Sequence, residues 1–295
     1  MLTMRDQQTS ASNPLKLIVT ADDFGIGVET SRGIVQAHLN GPVTCTSLMT
    51  VTADHAKRSL PLLDGAPRLE VGLHIVLSGS DKPLAATGKS GLLSREGTFL
   101  PLPRLMMRAF LGRLDQRACF DEICAQAEMY RKLMGRMPAY VDGHHHSHQL
   151  PAVRQALADA IGQGVLPRIA RITPEPVEIR RKVKTAGTRR RVARFIGGTA
   201  KSFFRANNIR SNDSFFGMLD DEKLNEPFPW KDYFDHLPVS GTVEWVVHPG
   251  CDDETLVGRD GYVRQRSIEL KVLADSSNQR YWERPGMMRS VKSSL

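Results

Sequence analysis

The residues of this chain best suited to chemistry stand at the ends of short apolar runs. Leu15, Leu17, Ile18 and Val19 lead through Thr20-Ala21 into two adjacent carboxylates, Asp22 and Asp23. Neighbouring carboxylates at the end of a buried strand repel one another and lose hydration, so they persist only where a cation, a proton or several hydrogen-bond donors offset the cost. A metal ion is the simplest such partner. The same arrangement recurs where Val71-Gly72-Leu73 runs into His74, where Tyr140-Val141 runs into Asp142, and where Trp245-Val246-Val247 runs into His248. After Asp142 come His144, His145, His146 and His148, four histidines in five positions. Taken singly, an aspartate pair can cap a helix and a lone histidine can pack in a core. A histidine tract beside an aspartate, directly after an apolar strand, points to metal binding.

Chain geometry limits which groups bind. In an extended tract alternate side chains share a face, so His144, His146 and His148 would point one way and His145 the other. Asp142 could then support a ligating imidazole through its second ring nitrogen. One carboxylate with two histidines leaves coordination positions open for water and substrate, as a catalytic site requires. The remaining aspartate could accept a proton from a metal-acidified water, and His248 could protonate a leaving amine.

The elements that must position these residues read as an α/β alternation. After the first strand, Gly25 and Gly27 make a turn, Thr30 or Ser31 can cap, and Ile34, Val35 and His38 form a helical stripe ended by Asn40-Gly41-Pro42. The β-branched run Val43 to Met49 reads as a second strand, and a helix follows from Asp54 towards Leu63. This β-α-β-α order argues for a mainly parallel sheet, whose strands all open their carboxyl ends on one face. A glycine- and proline-punctuated loop runs from Ser78 to Pro103, long enough to take part in binding. Phe120 to Met134 and Pro151 to Ile161 have helical spacing, and Arg168 to Ile172 is a further candidate strand. Its Arg171 is read equally as a substrate contact or a surface charge.

The chain has 295 residues, enough for one barrel-sized domain, which is expected over 15–275. Residues 1–14 read as a disordered leader and 276–295 as a C-terminal tail, the last ~15 residues of which look frayed. The formal charge of +8 is local. No acid lies between Ile179 and Asn212, a stretch with eleven arginines and lysines, and the other 29 basic residues face 32 acidic ones. This run falls within an expected insertion over about 175–235. Nucleic-acid or membrane-surface binding by it is a competing function class; a solvated lid is preferred, because no interleaved aromatics or known binding motif accompany the first part of the run. Cys45, Cys119, Cys124 and Cys251 lack metal-type spacing, and no apolar run reaches membrane-spanning length, so a reducing cytoplasm is expected.

At Thr20 to Gly25, Gly72 to His74, Asp142 to His148 and His248-Pro249-Gly250 the chain resembles the YdjC-type carbohydrate deacetylases, the family that includes chitooligosaccharide deacetylase and hopanoid-associated deacetylases. The pieces come in the family's order. The resemblance implies a distorted, incomplete (β/α) barrel, one divalent metal ion, and hydrolysis of the linear amide of an N-acetylated sugar; the chain departs from shorter family members in its long basic segment, read as an insertion. It makes Asp23, His74 and His144 the metal ligands, Asp22 the general base and His248 the acid, with the two aspartates exchangeable. Asp142, His146 and Arg171 are carried as candidate substrate contacts. Magnesium or zinc is the expected ion, with manganese or cobalt also compatible, and a homodimer is the assembly considered. A metal-dependent hydrolase of another ester, such as a phosphoester, is the competing enzyme reading.

Overall fold

The first strand, β1 (Leu15–Phe24), lies at the middle of the sheet and is buried along nearly its whole length. Apolar residues on both of its faces suit it to a parallel sheet covered on both sides. The computed structural model describes residues 14–85, 88 and 90–295, so the expected leader lies almost wholly outside the described residues. Its further strands are β2 (Cys45–Leu48), β3 (Glu70–Ile75), β4 (Val141–Gly143), β5 (Ser214–Phe216), β6 (Thr242–Val247) and β7 (Met287–Ser290). They pair in parallel in the order β4-β3-β2-β1-β6-β5, with β7 beside the first half of β1. The sheet curls into an incomplete barrel. Between β4 and β5 the arc is spanned by isolated bridges, Val141 to Ala170 and Ile169 to Arg210, in place of regular strands.

Helices fill the crossovers: α1 (Val28–Asn40), α2 (Ala53–Ser59), α3 (Leu102–Phe110), α4 (Gln116–Met134), α5 (Pro151–Gly162), α6 (Val177–Lys182), α7 (Gly187–Ala206), α8 (Lys231–Phe234) and α9 (Arg264–Ala274). The main core lies between sheet and helices. There Leu17, Val19 and Ala21 of β1 join Ile34, Ile123 and Leu157, and Trp245 packs among Phe216, Trp230 and Phe234.

Strand alternation turns the other set of side chains into the barrel. Its lower layer is apolar, made of Ile18, Cys45, Tyr140 and Ile169. Above it sit Thr20, Glu244, Asp142, Arg171 and Asp22, all nearly devoid of exposure.

Two expected boundaries shift. The stretch taken as an insertion contains β5, which pairs with β6, so the chain returns to the barrel before Trp230. The tail expected to fray forms β7, and Lys292 just beyond it is 1% exposed. Single-sequence patterning underrates this strand because Met287–Ser290 is short, lacks β-branched residues and is partly exposed, and is held by its backbone pairing to β1.

Candidate metal centre

The upper end of the barrel begins with the double aspartate. Asp22 continues the inward alternation of Ile18 and Thr20, whereas Asp23 would ordinarily point outward. The β1–β2 register is broken between Ala21 and Phe24, and Asp23 adopts φ 71°. This left-handed turn is costly for a non-glycine residue, and it swings the second carboxylate to the mouth as well. Asp23 Oδ2 is held by Arg266 Nη2 at 2.7 Å. Its Oδ1 faces His74 Nε2 and His144 Nδ1, each at 3.2 Å. Burial alone would raise the Asp23 pKa; the Arg266 guanidinium and the two imidazoles outweigh it and hold the carboxyl well below the usual range.

His74 reaches the site from the end of β3, whose register sets it beside Asp142 on β4. Its Nδ1 lies 2.7 Å from Asp142 Oδ1, the expected supporting contact. Its Nε2 is buried and has no hydrogen-bond partner among the described residues. Burial would lower the pKa of this ring, but Asp142 and Asp22 push it up to about 10. A buried nitrogen aimed at a carboxylate is stable with either a proton or a cation between them.

The donor atoms of Asp23, His74 and His144 lie within 4.8 Å of one another. Asp22, His74 and Asp142 are equally close, but that group already has its cations. Arg171 grips Asp22 with Nη1 at 2.6 Å and Nη2 at 2.7 Å, and also reaches Asp142 and Glu244. Lys292 Nζ lies 3.1 Å from Asp142 and 2.8 Å from Glu244. The first group, with one carboxylate oxygen and two imidazole nitrogens, therefore fits a divalent ion.

The histidine tract is not extended. His144 to Gln149 forms a 3₁₀ turn in which His145 and His146 take left-handed φ angles of 52° and 57°. The alternation inferred for an extended chain does not apply, and the four rings go to separate places. His144 joins Asp23, and His145 lies tilted against His144 with ring centroids 3.8 Å apart and its Nδ1 by Ser78 Oγ. His146 packs edge-on to Phe215, where burial pushes its pKa well down. His148 lies inside, with Nε2 2.9 Å from the Arg171 carbonyl, and burial lowers it to about 4.

His248 follows Val247, which pairs with Ala21, so the end of β6 stands beside Asp22 and Asp23. Its backbone N–H donates to Glu269 at 2.6 Å, and its ring is 5.3 Å from Tyr262. The glycine of His248-Pro249-Gly250 is required by close approach. A Cβ there would lie 3.1 Å from the Arg266 Cβ and 3.2 Å from the Thr30 backbone, and one on Gly33 of α1 would strike Gly250 at 2.4 Å.

Two expected substrate contacts are corrected by burial. Asp142 and Arg171 are 0% and 1% exposed and are consumed by the inner network, so neither presents surface to a ligand. His146 keeps partial exposure. Arg266, Glu244 and Lys292 escaped sequence reading. Nothing local distinguishes Arg266 on a late helix or Lys292 in a terminal stretch, whereas Glu244 interrupts the apolar run of β6, which is a local signal.

Comparison with known proteins identifies the family and the fold. The family described as YdjC-like protein matches residues 16–284. A human protein named carbohydrate deacetylase is 39% identical over 148 residues, 50% of this chain and 45% of that protein's length. A Yersinia pestis (strain Pestoides F) protein named chitooligosaccharide deacetylase is 30% identical over 264 residues, covering 87% of this chain and 90% of that protein. The crystal structure of an Enterococcus faecalis V583 protein, given the provisional description cellobiose-phosphate cleavage protein, superposes with a TM-score of 0.77 at 23% identity, covering 96% of this chain and 99% of that one, and so shares the fold. The chain belongs to the YdjC-like protein family.

Proposed function

We propose that this protein is a metal-dependent carbohydrate deacetylase, hydrolysing the N-acetyl amide of an amino sugar within an oligosaccharide or glycolipid. The observation that carries the reading is the convergence of Asp23, His74 and His144 at the open end of the barrel, beside a second carboxylate and a strand-end histidine. The names of the curated relatives supply the substrate class. A divalent ion bound there would supply Lewis acidity towards the amide carbonyl and acidify water. Two imidazoles among three donors weight the choice towards zinc, manganese or cobalt over magnesium.

The protein's own groups supply the proton transfers. Asp22, held in place by Arg171, accepts the proton of the attacking water, whose oxygen bonds to the amide carbon. His248 gives a proton to the departing nitrogen as the C–N bond breaks, leaving acetate and a free amine. Asp23, with one oxygen tied to Arg266, keeps the other for the ion. A cytoplasmic location belongs to the same reading, supported by four unpaired cysteines. Among the described residues no helix is long and apolar enough to cross a membrane.

Metal-loaded protein incubated with N-acetylglucosamine oligosaccharides and glycolipids should release acetate and amine in equal amounts, and chelation should abolish the release. Absence of acetate across such a panel, from protein shown to hold metal, would contradict the proposal. Release of phosphate from phosphorylated sugars in its place would favour a phosphoester hydrolase.

A further inference from the structure

Helices α3 and α7 both pack against the His144–Gln149 turn, so they flank the mouth of the barrel. Their outer faces carry large apolar side chains. Met107, Phe110 and the adjoining Leu111 are 54%, 44% and 57% exposed, and Phe195 of α7 is 58% exposed. The Phe110 and Phe195 rings meet at 5.5 Å, joining the two helices in one apolar ridge.

Exposed arginines stand on or next to the two helices that carry this ridge. Arg104 lies one turn before Met107 and Arg191 one turn before Phe195, on the same helix faces, and both are exposed together with Arg113 and Arg189. A groove of about 620 Å³ beside α3 is lined by Leu93, Arg95, Glu96, Arg104, Met107 and Arg108. Within the acid-free run, Arg190 turns inward to Glu175, while Arg180, Arg181, Lys182, Lys184, Arg189 and Arg191 stay exposed. A merely solvated lid would carry mixed charges and few large apolar side chains on its outer face.

We propose that the α3–α7 ridge is a docking surface for an anionic lipid bilayer. The apolar ridge would enter the boundary between headgroups and acyl chains, and the arginines around it would meet lipid phosphates. Nucleic acid fits the ridge less well. Bases stack on open aromatic faces, whereas the two phenylalanine rings are turned against each other at 49° and are flanked by the flexible side chains of Met107 and Leu111. Docking in this way would bring the barrel mouth close to the membrane, whichever bond the site hydrolyses.

The test is co-sedimentation of the full chain with phosphatidylcholine vesicles, with and without about one-third phosphatidylglycerol. Binding to the anionic vesicles should be at least about tenfold tighter, and should weaken as salt rises from about 0.1 M to about 0.5 M. A Phe110→Ser/Phe195→Ser variant and an Arg189→Ser/Arg191→Ser variant should each lose about tenfold in binding while circular dichroism shows both still folded, the phenylalanine pair lowering the melt somewhat through its lost ring contact and the exposed arginines leaving it unchanged. Equal binding to neutral and anionic vesicles, no binding, or binding unaffected by the phenylalanine changes would overturn the proposal. So would tighter binding of duplex DNA that competes with vesicles. A dimer that the phenylalanine variant dissociates, without vesicle binding, would instead make the ridge a contact between copies of this chain.

Discussion

Asp22 and Asp23 are neighbours in sequence with separate partners, and the division follows from one backbone angle. With Asp23 in the left-handed region, Asp22 stays with Arg171 while Asp23 turns to Arg266, His74 and His144. The residue types at the strand ends were legible in the sequence because chemistry-bearing groups interrupt apolar runs there. The division of labour between the aspartates was not, since it depends on a break in register with no sequence signature. His74 gives the sharpest expectation at this scale. Its pKa, raised to about 10 in the folded protein, exceeds the ordinary value near 6.5. The proton's contribution to stability is therefore complete below about 6.5 and is lost as pH rises through about 10. A metal ion must displace that proton, so metal affinity should climb about tenfold per pH unit from neutrality towards pH 10, with close to one proton released per ion. Calorimetric titration in buffers of different ionisation enthalpy measures both quantities. A flat pH profile would show that no proton has to leave His74 before an ion binds.

At the scale of elements, helix α1 is capped from a distance. Thr30 and Ser31 were the expected caps, yet its N-cap is Gly27, which lacks a side chain. Asp253 Oδ2 instead accepts from the Thr30 backbone at 3.1 Å and from the Thr30 hydroxyl at 3.3 Å. Local sequence reading cannot find a cap more than two hundred residues away. Asp253→Ala should destabilise the protein by about 1 kcal/mol in urea unfolding. Gly27→Ala should act in the same direction with Asp253 itself unchanged, because the new Cβ would lie 2.1 Å from Oδ2 and push the carboxylate off the helix. Burial would raise the Asp253 pKa, but bonds from Thr255 and Thr30 lower it on balance. Its contribution is then present above about pH 3.9 and fades as pH falls through the lower folded value. Unfolding curves unchanged by either substitution would refute the capping role. The histidine tract shows the same limit: its composition suits metal binding, while its turn conformation goes with packing against α3, α5 and α7.

Across the whole molecule, the barrel interior is a buried charge network closed from both ends of the chain. Asp22, Asp142 and Glu244 face Arg171 and Lys292, each at most 3% exposed. The parallel α/β class was readable from the alternation of apolar runs and helical stripes. Lys292 was not, because a lysine in a polar tail has the pattern of a solvated residue. Its ammonium also sits 3.9 Å from the Tyr140 ring centre. Removing one partner of a buried ionic group leaves the other uncompensated, so Lys292→Met should cost about 3–5 kcal/mol in denaturant unfolding. A loss below about 1 kcal/mol would mean that the network does not need this cation. The central claim is that β1, β3 and the turn after β4 meet around one ion. Anomalous diffraction from crystals grown with zinc or manganese tests it directly. One strong peak per chain is expected, bounded by Asp23, His74 Nε2 and His144 and absent from a His74→Ala/His144→Ala variant. No peak there, or one that persists in the variant, would contradict it.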